Sequence, residues 1–239
     1  MGLKRGATVI TIAQDDFEWH REDAWGWSNK FPVYAVADGV TAPAYEEFSF
    51  PTGPKQVADL FVKSAIKFAE RSFKDCSEDT LRAAYGYANG EVKKLNRRLG
   101  GVFSAVGSLA AVKNGMIFGS RLTDCGFALM RAGKIVFKTP EFWRSLKSRK
   151  RQGYGIVDGK MNLEEYVDVY FLPYKAGDAL ALFTDGFEPH FRENKFTVLF
   201  RERNQKILKE KILKLDQALA ARDAEKYGHE RTLLYVRLV

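Results

Sequence analysis

Two apolar segments that each end in Asp-Gly constrain the fold of this chain more than any other feature of its sequence. They are Val-Tyr-Ala-Val-Ala-Asp-Gly at residues 33–39 and Ala-Leu-Ala-Leu-Phe-Thr-Asp-Gly at residues 179–186. A continuous apolar run is typical of a strand buried on both faces, so Asp38 and Asp185 are expected at the ends of two core strands. If these strands are neighbours in space, the two carboxylates could bind the same metal ions.

A third Asp-Gly dipeptide, Asp158-Gly159, shows that the dipeptide alone does not define a site. Asp-Gly is common in turns because glycine accepts a positive φ, and we predict an ordinary turn at Asp158-Gly159. Asp38 and Asp185 differ because each follows at least four apolar residues and precedes a segment without a hairpin signal. We therefore treat these two, and not Asp158, as candidate ligands.

Length and composition favour one intracellular domain. The chain has 239 residues, of which 46% are hydrophobic, enough for a large core in a single domain spanning residues 1–239. No apolar run approaches the roughly 18 residues of a membrane span, and we find no signal-peptide pattern. Cys76 and Cys125 are too few for a disulfide framework. We expect a cytoplasmic protein with no membrane partner.

The chain is basic, with a formal net charge of +8. Five of its basic residues lie within residues 142–152, where a solvated face and a docking surface for an acidic or phosphorylated partner are both possible. No RNA-binding signature, zinc-ligand spacing or helix-turn-helix pattern accompanies this segment, so nucleic acid is not the expected partner. The basic residues are Arg144, Lys147, Arg149, Lys150 and Arg151.

The order of predicted elements indicates an α+β fold with sheets packed together and helices outside. Strands are predicted at residues 8–13 and 31–37, followed by two amphipathic helices that begin at Gly53-Pro54 and at Ser77. Short strands follow, two of them separated by Asn114-Gly115, a strong hairpin signal. These strands are predicted at residues 105–112, 116–120, 126–130, 135–138, 167–172 and 178–183, before a helix around residues 208–219 and a closing strand at 232–239.

Several short motifs occur in an order that matches one known family. Arg-Glu-Asp-Ala at residues 21–24 lies 15 residues before Ala-Asp-Gly at 37–39, and Gly-Asp-Ala-Leu-Ala-Leu-Phe-Thr-Asp-Gly ends at Gly186. Further motifs lie at residues 53–58, 107–112, 122–126 and 229–236. Together they span residues 21–239 and resemble the metal-dependent protein phosphatases of the PPM type, the type 2C serine/threonine phosphatases.

The resemblance implies a four-layer α-β-β-α sandwich of two antiparallel sheets flanked by helices. It also implies two divalent cations, Mn²⁺ or Mg²⁺, with a third in a weaker site, and a metal-bridging hydroxide that hydrolyses phosphoserine and phosphothreonine. Asp38 would bridge both metals, the Gly39 carbonyl would hold one, Asp185 would bind the other, and Asp124 would form the third site. The motif residues Glu22 and Asp23 would bind a metal through water or orient the nucleophile, which makes Asp23, Asp38 and Asp185 the predicted catalytic residues.

Two positions depart from the family pattern. His229 stands where the family has an aspartate that completes the metal site; imidazole can bind Mn²⁺ but suits Mg²⁺ poorly, and Glu230 could substitute. Glu18 stands where the family has an arginine that grips phosphate bidentately. Arg21 is close and is the candidate substrate-binding residue, although another residue could supply this contact.

Three further features are expected to be structural. His20 and His190 flank motifs without matching a catalytic position, and Cys125 is expected to be buried. A tryptophan-rich segment could be core or interface, and we predict core. It contains Trp19, Trp25 and Trp27.

Two functions follow from the sequence. The first is a monomeric phosphoprotein phosphatase whose metals are held by Asp38, Asp185 and either His229 or Glu230. The second is a weak or inactive pseudophosphatase that binds a phosphoprotein or a regulator. Asp38, Gly39, Asp124 and Asp185 are all present, which favours the enzyme.

Overall fold

A computed structural model of the chain describes residues 7–12, 21–40, 51–142 and 155–239. Within these residues ten strands form two antiparallel sheets of five strands each. The strands are β1 (Ala7–Ile12), β2 (Ala24–Trp27), β3 (Val33–Val40), β4 (Ser104–Lys113), β5 (Met116–Leu122), β6 (Gly126–Arg131), β7 (Lys134–Lys138), β8 (Asp168–Pro173), β9 (Ala179–Phe183) and β10 (Arg231–Arg237). Sheet I has the order β2-β3-β4-β5-β8, and sheet II has the order β1-β10-β9-β6-β7.

The described helices are α1 (Gly53–Arg71), α2 (Glu78–Leu99), α3 (Asn194–Leu199), α4 (Gln205–Arg222) and α5 (Ala224–Tyr227). Short 3₁₀ helices lie at Phe73–Asp75 and Glu164–Tyr166, and a longer one, Asp185–Arg192, follows β9. None of the helices within the described ranges is long and apolar enough to cross a membrane.

The two long helices begin where the sequence predicted, because a hydroxyl side chain caps each one. Thr52 precedes α1 and accepts a hydrogen bond from the Lys55 amide at 3.2 Å, with Pro54 in the first turn. Ser77 caps α2 in the same way, and Gly100 ends that helix in the left-handed conformation at φ 69°.

Three buried clusters fill the three interfaces of a four-layer sandwich, and β3 shows how. Val33, Ala35 and Ala37 pack against α1 and α2, whereas Tyr34 and Val36 pack between the sheets against residues of sheet II. Successive side chains of a strand point to opposite faces, so burial on both faces produces the continuous apolar run of the sequence. The third cluster joins sheet II to the 3₁₀ helix Asp185–Arg192, α3 and α4. The predicted α-β-β-α sandwich is confirmed.

The predicted turns are also confirmed. Asn114 and Gly115 have φ of 50° and 76° between β4 and β5, as a two-residue hairpin of type I′ requires. Asp158-Gly159 is an ordinary turn: Gly159 has φ 81°, and the Asp158 carboxylate accepts hydrogen bonds from the amides of Lys160 and Met161.

The structure differs from the sequence prediction at the start of sheet I. Strand β2 was not predicted, and β3 continues to Val40, so Asp38 lies inside a strand, paired with Val106, and not beyond its end. The predicted core position of Trp25 is wrong: this side chain is 43% exposed and stacks on half-buried Trp27, with ring centroids 5.5 Å apart. An edge strand leaves one side of its residues open, which explains the exposure. Trp19 lies outside the described residues.

Candidate metal centre

Five carboxylates meet at one end of the sandwich, and we call them the acidic cluster. Antiparallel pairing places the ends of β3 and β5 at one end of sheet I, and the end of β9 and the start of β10 at one end of sheet II. The electrostatic effect of Asp185 and Glu230 on Asp38 shows that these two ends lie close together. The two Asp-Gly segments are therefore brought together as the sequence predicted. The cluster consists of Asp23, just before β2; Asp38, on β3; Asp124, after β5; Asp185, after β9; and Glu230, just before β10.

Burial and mutual repulsion raise the pKa values of these carboxyls. Desolvation raises the pKa of Asp38 well above its usual value, and the negative charges of Asp23, Asp185, Asp124 and Glu230 add to it. Desolvation, followed by the charge of Glu230, likewise raises the pKa of Asp23. A divalent cation would remove this repulsion, so the electrostatics of the cluster fit a metal site.

Asp124 carries a second indication of a missing partner. Its Oδ1 is buried and has no hydrogen-bond partner within the described ranges, which is unusual for a carboxylate oxygen. Desolvation and then the charge of Asp185 raise the Asp124 pKa to about 6. The positive charge of Arg121 offsets part of this rise in the Asp124 pKa. However, Arg121 already donates hydrogen bonds to Asp168 at 3.1 Å and to the Pro140 carbonyl. A hard cation is a suitable partner for the Oδ1 atom of Asp124, which lacks a hydrogen bond.

The donor set suits Mg²⁺ or Mn²⁺ but does not form a closed cage. These ions prefer oxygen ligands, and Mg²⁺ retains several waters when one or two carboxylates bind it. Among the residues that the structure describes, no group of three or more histidine, cysteine, aspartate or glutamate side chains is arranged around a single metal position. The residues fit the implied cations in charge and donor type.

Glu230 connects the start of β10 to the acidic motif at residues 21–24 through hydrogen bonds. Its Oε2 accepts a hydrogen bond from the Glu22 amide at 2.8 Å, and its Oε1 accepts one from the Asp23 amide at 3.1 Å. Glu22 in turn accepts a hydrogen bond on Oε1 from the Thr52 hydroxyl at 2.6 Å, at the start of α1. Both glutamates predicted as metal ligands therefore orient the segment that carries Asp23.

His229 is exposed and lies close enough to Asp185 for its charge to lower the pKa of that carboxyl. Desolvation is the larger effect and raises the Asp185 pKa overall, although the aspartate itself is exposed at the surface. His229 is thus near the acidic cluster, within electrostatic range of Asp185.

Thr184 was missed by the sequence analysis. This buried residue donates a hydrogen bond from its hydroxyl to Asp23 Oδ2 at 2.9 Å and accepts one from the Thr232 amide at 2.8 Å. Lys55 was also missed; its Nζ donates to the Asp23 carbonyl at 2.9 Å. The signal was available for Thr184, a polar residue between a buried strand and the candidate ligand Asp185.

The glycines of the two motifs are required by close packing and not by turns, since neither has a positive φ. A Cβ on Gly39 would lie 2.9 Å from the Glu22 Cβ and 2.9 Å from the Pro54 carbonyl carbon. A Cβ on Gly186 would lie 2.2 Å from the Glu230 carbonyl oxygen. Small residues at these positions allow the acidic segments to approach one another.

A buried ion-pair network lies behind the acidic cluster. His190 Nε2 lies 2.9 Å from Asp216 Oδ1, and Arg231 donates to both oxygens of Asp216, at 2.6 and 2.7 Å. His190 is fully buried and contacts the rings of Phe187 and Tyr227. The expectation that His190 is structural agrees with this position.

The remaining residues singled out in the sequence are either exposed, buried or outside the described ranges. Arg21 is exposed beside Asp23. Cys125 is buried as expected, and desolvation raises its thiol pKa. Glu18, His20 and the basic segment at residues 143–152 lie outside the described residues.

Comparison with known proteins supports the fold. No family model matches the chain, and no curated protein matches it. Among solved structures, the Mycobacterium tuberculosis serine/threonine phosphatase PstP/Ppp has a TM-score of 0.74 at 13% identity, covering 98% of each chain. PppA, a key regulatory component of T6SS in Pseudomonas aeruginosa, has a TM-score of 0.71 at 15% identity, also covering 98% of each chain.

The catalytic domain of PstP in complex with two manganese ions has a TM-score of 0.67 at 13% identity, over 98% of this chain and 99% of that chain. Similarity at this level of identity concerns the backbone and the order of elements. It agrees with the two five-stranded sheets and their flanking helices. The chain therefore has the fold of the PPM-type serine/threonine phosphatases, as its motifs predicted.

Proposed function

We propose that this chain is a metal-dependent phosphoprotein phosphatase that hydrolyses phosphoserine and phosphothreonine. The observation that carries the proposal is the meeting of Asp38, Asp185, Asp124 and Asp23 from both sheets at one end of the sandwich. Four carboxylates with raised pKa values are a costly arrangement for folding alone, and such arrangements are typical of functional sites.

The chain's own residues would hold and orient the reactants. Asp38 and Asp185 would hold two divalent cations, Mn²⁺ or Mg²⁺, with the Gly39 carbonyl, and Asp124 would hold a third. Bound cations would neutralise the phosphoryl oxygens and make a water molecule a stronger nucleophile at neutral pH. Thr184 would hold the carboxylate of Asp23 in place through its hydrogen bond to Oδ2, and Asp23 would orient the attacking water. Arg21 would contact the phosphorylated substrate.

His229 is the better candidate to complete the metal site. Both oxygens of Glu230 already accept backbone hydrogen bonds, whereas His229 is exposed and lies within electrostatic range of Asp185. An imidazole ligand favours Mn²⁺ over Mg²⁺. We therefore propose Mn²⁺ as the preferred ion.

A pseudophosphatase is the second candidate, and the dipeptide His229-Glu230 favours it. If the imidazole does not bind a metal, the acidic cluster has lost a carboxylate ligand, and Glu230 is occupied in holding Glu22 and Asp23. The domain would then bind a phosphoprotein without hydrolysing it.

We further propose a monomeric, single-domain protein of the cytoplasm. The free cysteines Cys76 and Cys125 support this compartment, because it is reducing.

Hydrolysis of an aryl phosphate distinguishes the two functions. The wild type should show turnover with Mn²⁺, less with Mg²⁺ and none with a chelator. Asp38→Asn should lower turnover by roughly hundredfold or more, because even residues that only orient metal ligands cost up to about that factor. Asp79→Asn, an exposed position in the first turn of α2, is the matched control and should remain active. Absence of turnover with either ion, or full activity of Asp38→Asn, would refute the enzyme.

A further inference from the structure

A cavity of about 550 Å³ opens beside the acidic cluster, and we call it the tryptophan groove. It lies where the edge strand of sheet I, β2, is next to the edge strand of sheet II, β1. Asp23 forms the end nearest the cluster. The residues that line the groove are Val9, Thr11, Arg21, Asp23, Trp25, Trp27, Lys55 and Lys209.

The aromatic wall of the groove is preformed. Trp25 and Trp27 are two residues apart on β2, so both side chains lie on the same face of the strand as Asp23. Their rings stack with an interplanar angle of 15°, and Trp25 remains 43% exposed. Two rigid indoles provide a large apolar contact surface with little entropy left to lose on binding.

The groove is also basic. Arg21 and Lys209 are exposed, and neither has an ion pair or side-chain hydrogen bond within the described ranges of the chain. Lys55 is held by the Asp23 carbonyl and Asp59, and the carboxylate of Asp23 is held by Thr184. Two unpaired cations therefore face the opening beside an apolar wall, and this combination complements a ligand with acidic and apolar groups.

We propose that the tryptophan groove binds the acidic segment of a phosphoprotein that flanks the phosphorylated residue. This inference rests on the proposed function, because the groove ends at Asp23, next to Asp38 and the cations that would bind the phosphoryl group. An extended segment could place carboxylates against Arg21 and Lys209 and an apolar side chain on Trp25. The chain would then prefer phosphorylated residues in acidic surroundings.

A peptide fits better than a nucleic acid. Trp25 and Trp27 stack on each other, so the pair offers a single outer ring face, whereas a single strand stacks successive bases on separate aromatic side chains. Within the described part of the chain, the two exposed cations of the groove, Arg21 and Lys209, also provide few phosphate contacts for a nucleic acid backbone.

The test compares substrates that differ only in their flanking residues. Phosphopeptides with acidic, neutral and basic flanks, and an aryl phosphate without flanks, are hydrolysed by wild type and by Lys209→Glu. The matched control is Lys214→Glu, the same charge reversal on an exposed residue of α4 that does not line the groove. Trp25→Ala tests the aromatic wall separately.

We expect Lys209→Glu to lower kcat/KM for the acidic phosphopeptide by roughly twofold to fivefold, the upper part of the range of exposed charge pairs, with less effect at high salt. Trp25→Ala should also lower it. Both variants should hydrolyse the aryl phosphate at the wild-type rate, and Lys214→Glu should resemble the wild type on every substrate. Equal loss on all substrates, or no preference for the acidic flank, would overturn the proposal.

Direct binding separates failure of the groove from failure of the proposed function. Fluorescence anisotropy of the labelled acidic phosphopeptide is measured with each variant, and needs no turnover. If the wild type binds this peptide, and Lys209→Glu binds it more weakly, the groove binds acidic phosphopeptides even if the protein is a pseudophosphatase. If the peptide binds equally to both, or if a single-stranded oligonucleotide displaces it and binds more tightly, the peptide assignment is wrong.

Discussion

At the scale of single residues, the two Asp-Gly motifs are defined by close contact and not by turn geometry. We expect Gly186→Ala to lower the free energy of unfolding by about 1–3 kcal/mol, because its Cβ would lie 2.2 Å from the Glu230 carbonyl oxygen and force β10 away. Aryl phosphatase activity should fall with it. Thermal unfolding and turnover measure the two effects.

Gly90→Ala is the control for the same chemical change. Gly90 lies within α2, and an added Cβ there meets no atom within 4 Å. The variant should gain about 0.5–1 kcal/mol from reduced flexibility of the unfolded chain and keep full activity. If Gly186→Ala behaved like Gly90→Ala, close packing at the motif would be the wrong explanation.

The residues of the acidic cluster were predictable to unequal degrees. Asp38 and Asp185 follow apolar runs, which is a local signal, and Asp23 and Asp124 were found through motif resemblance. The roles of Thr184 and of the Glu230 carboxylate, which binds the amides of Glu22 and Asp23, were not predicted. Each role depends on a contact with a residue more than 150 positions away. A sequence records such contacts only through the fold that makes them.

At the scale of elements, a buried ion-pair network joins three parts of the candidate site. Asp216 on α4 pairs with His190, on the 3₁₀ helix that begins at Asp185, and with Arg231, the residue after Glu230. Desolvation alone would raise the Asp216 pKa, but hydrogen bonds from His190 and Arg231 outweigh it and lower that pKa. The network thus stabilises the ionised carboxylate and fixes α4 against both ligand-bearing segments.

Asp216→Asn should lower the free energy of unfolding near neutral pH by about 3–5 kcal/mol, because it leaves Arg231 buried without its counter-charge. A carboxyl whose pKa is lowered by folding stabilises the protein above its unfolded value of about 3.9, and this contribution is lost as the pH falls through the folded value. The difference between variant and wild type should therefore shrink below about pH 4.

Urea unfolding over a range of pH measures this difference. Glu210→Gln, an exposed position on the same helix, should have little effect at any pH. A constant difference between Asp216→Asn and the wild type at every pH would mean that the Asp216 charge is not what stabilises the network.

Elements with strong local signals were predicted well, and one without them was missed. The starts of α1 and α2 follow from Thr52, Pro54 and Ser77, whose capping chemistry is local. Strand β2 has four residues, Ala-Trp-Gly-Trp, including a glycine, and offers neither length nor β-branched side chains. It forms because β3 provides a partner edge, which is tertiary information.

At the scale of the whole molecule, the sandwich brings negative charges together in a chain whose net charge is +8. Neither sheet contains the complete acidic cluster, since Asp38 lies in sheet I and Asp185 follows a strand of sheet II. Packing of the two sheets through a shared apolar layer therefore also creates the repulsion between the carboxylates. Folding and cation binding should be coupled through this repulsion.

The coupling predicts how the metal-free protein responds to pH. Folding raises the pKa values of all five carboxyls of the acidic cluster, that of Asp124 to about 6. A raised carboxyl pKa means that the folded state binds more protons, so its stabilising contribution is present below the unfolded pKa and is lost as the pH rises through the folded pKa. After chelation, the Tm should therefore fall between about pH 5 and about pH 8, by roughly 2–4 °C for each kcal/mol lost.

Divalent cations should reverse this fall, because they replace the protons that the cluster loses. At about one hundred times its Kd, Mn²⁺ should stabilise the protein near pH 8 by about 2.7 kcal/mol, and by less near pH 5, where protons compete for the carboxylates. Asp124→Asn should lose less stability than the wild type as the pH rises without metal, since it removes the carboxyl whose pKa lies near 6. Differential scanning fluorimetry with and without Mn²⁺ measures each case. A metal-free Tm that stays constant or rises over this pH range would show that the carboxylates are not in mutual repulsion, and the case for a cation between the two sheets would fail with it.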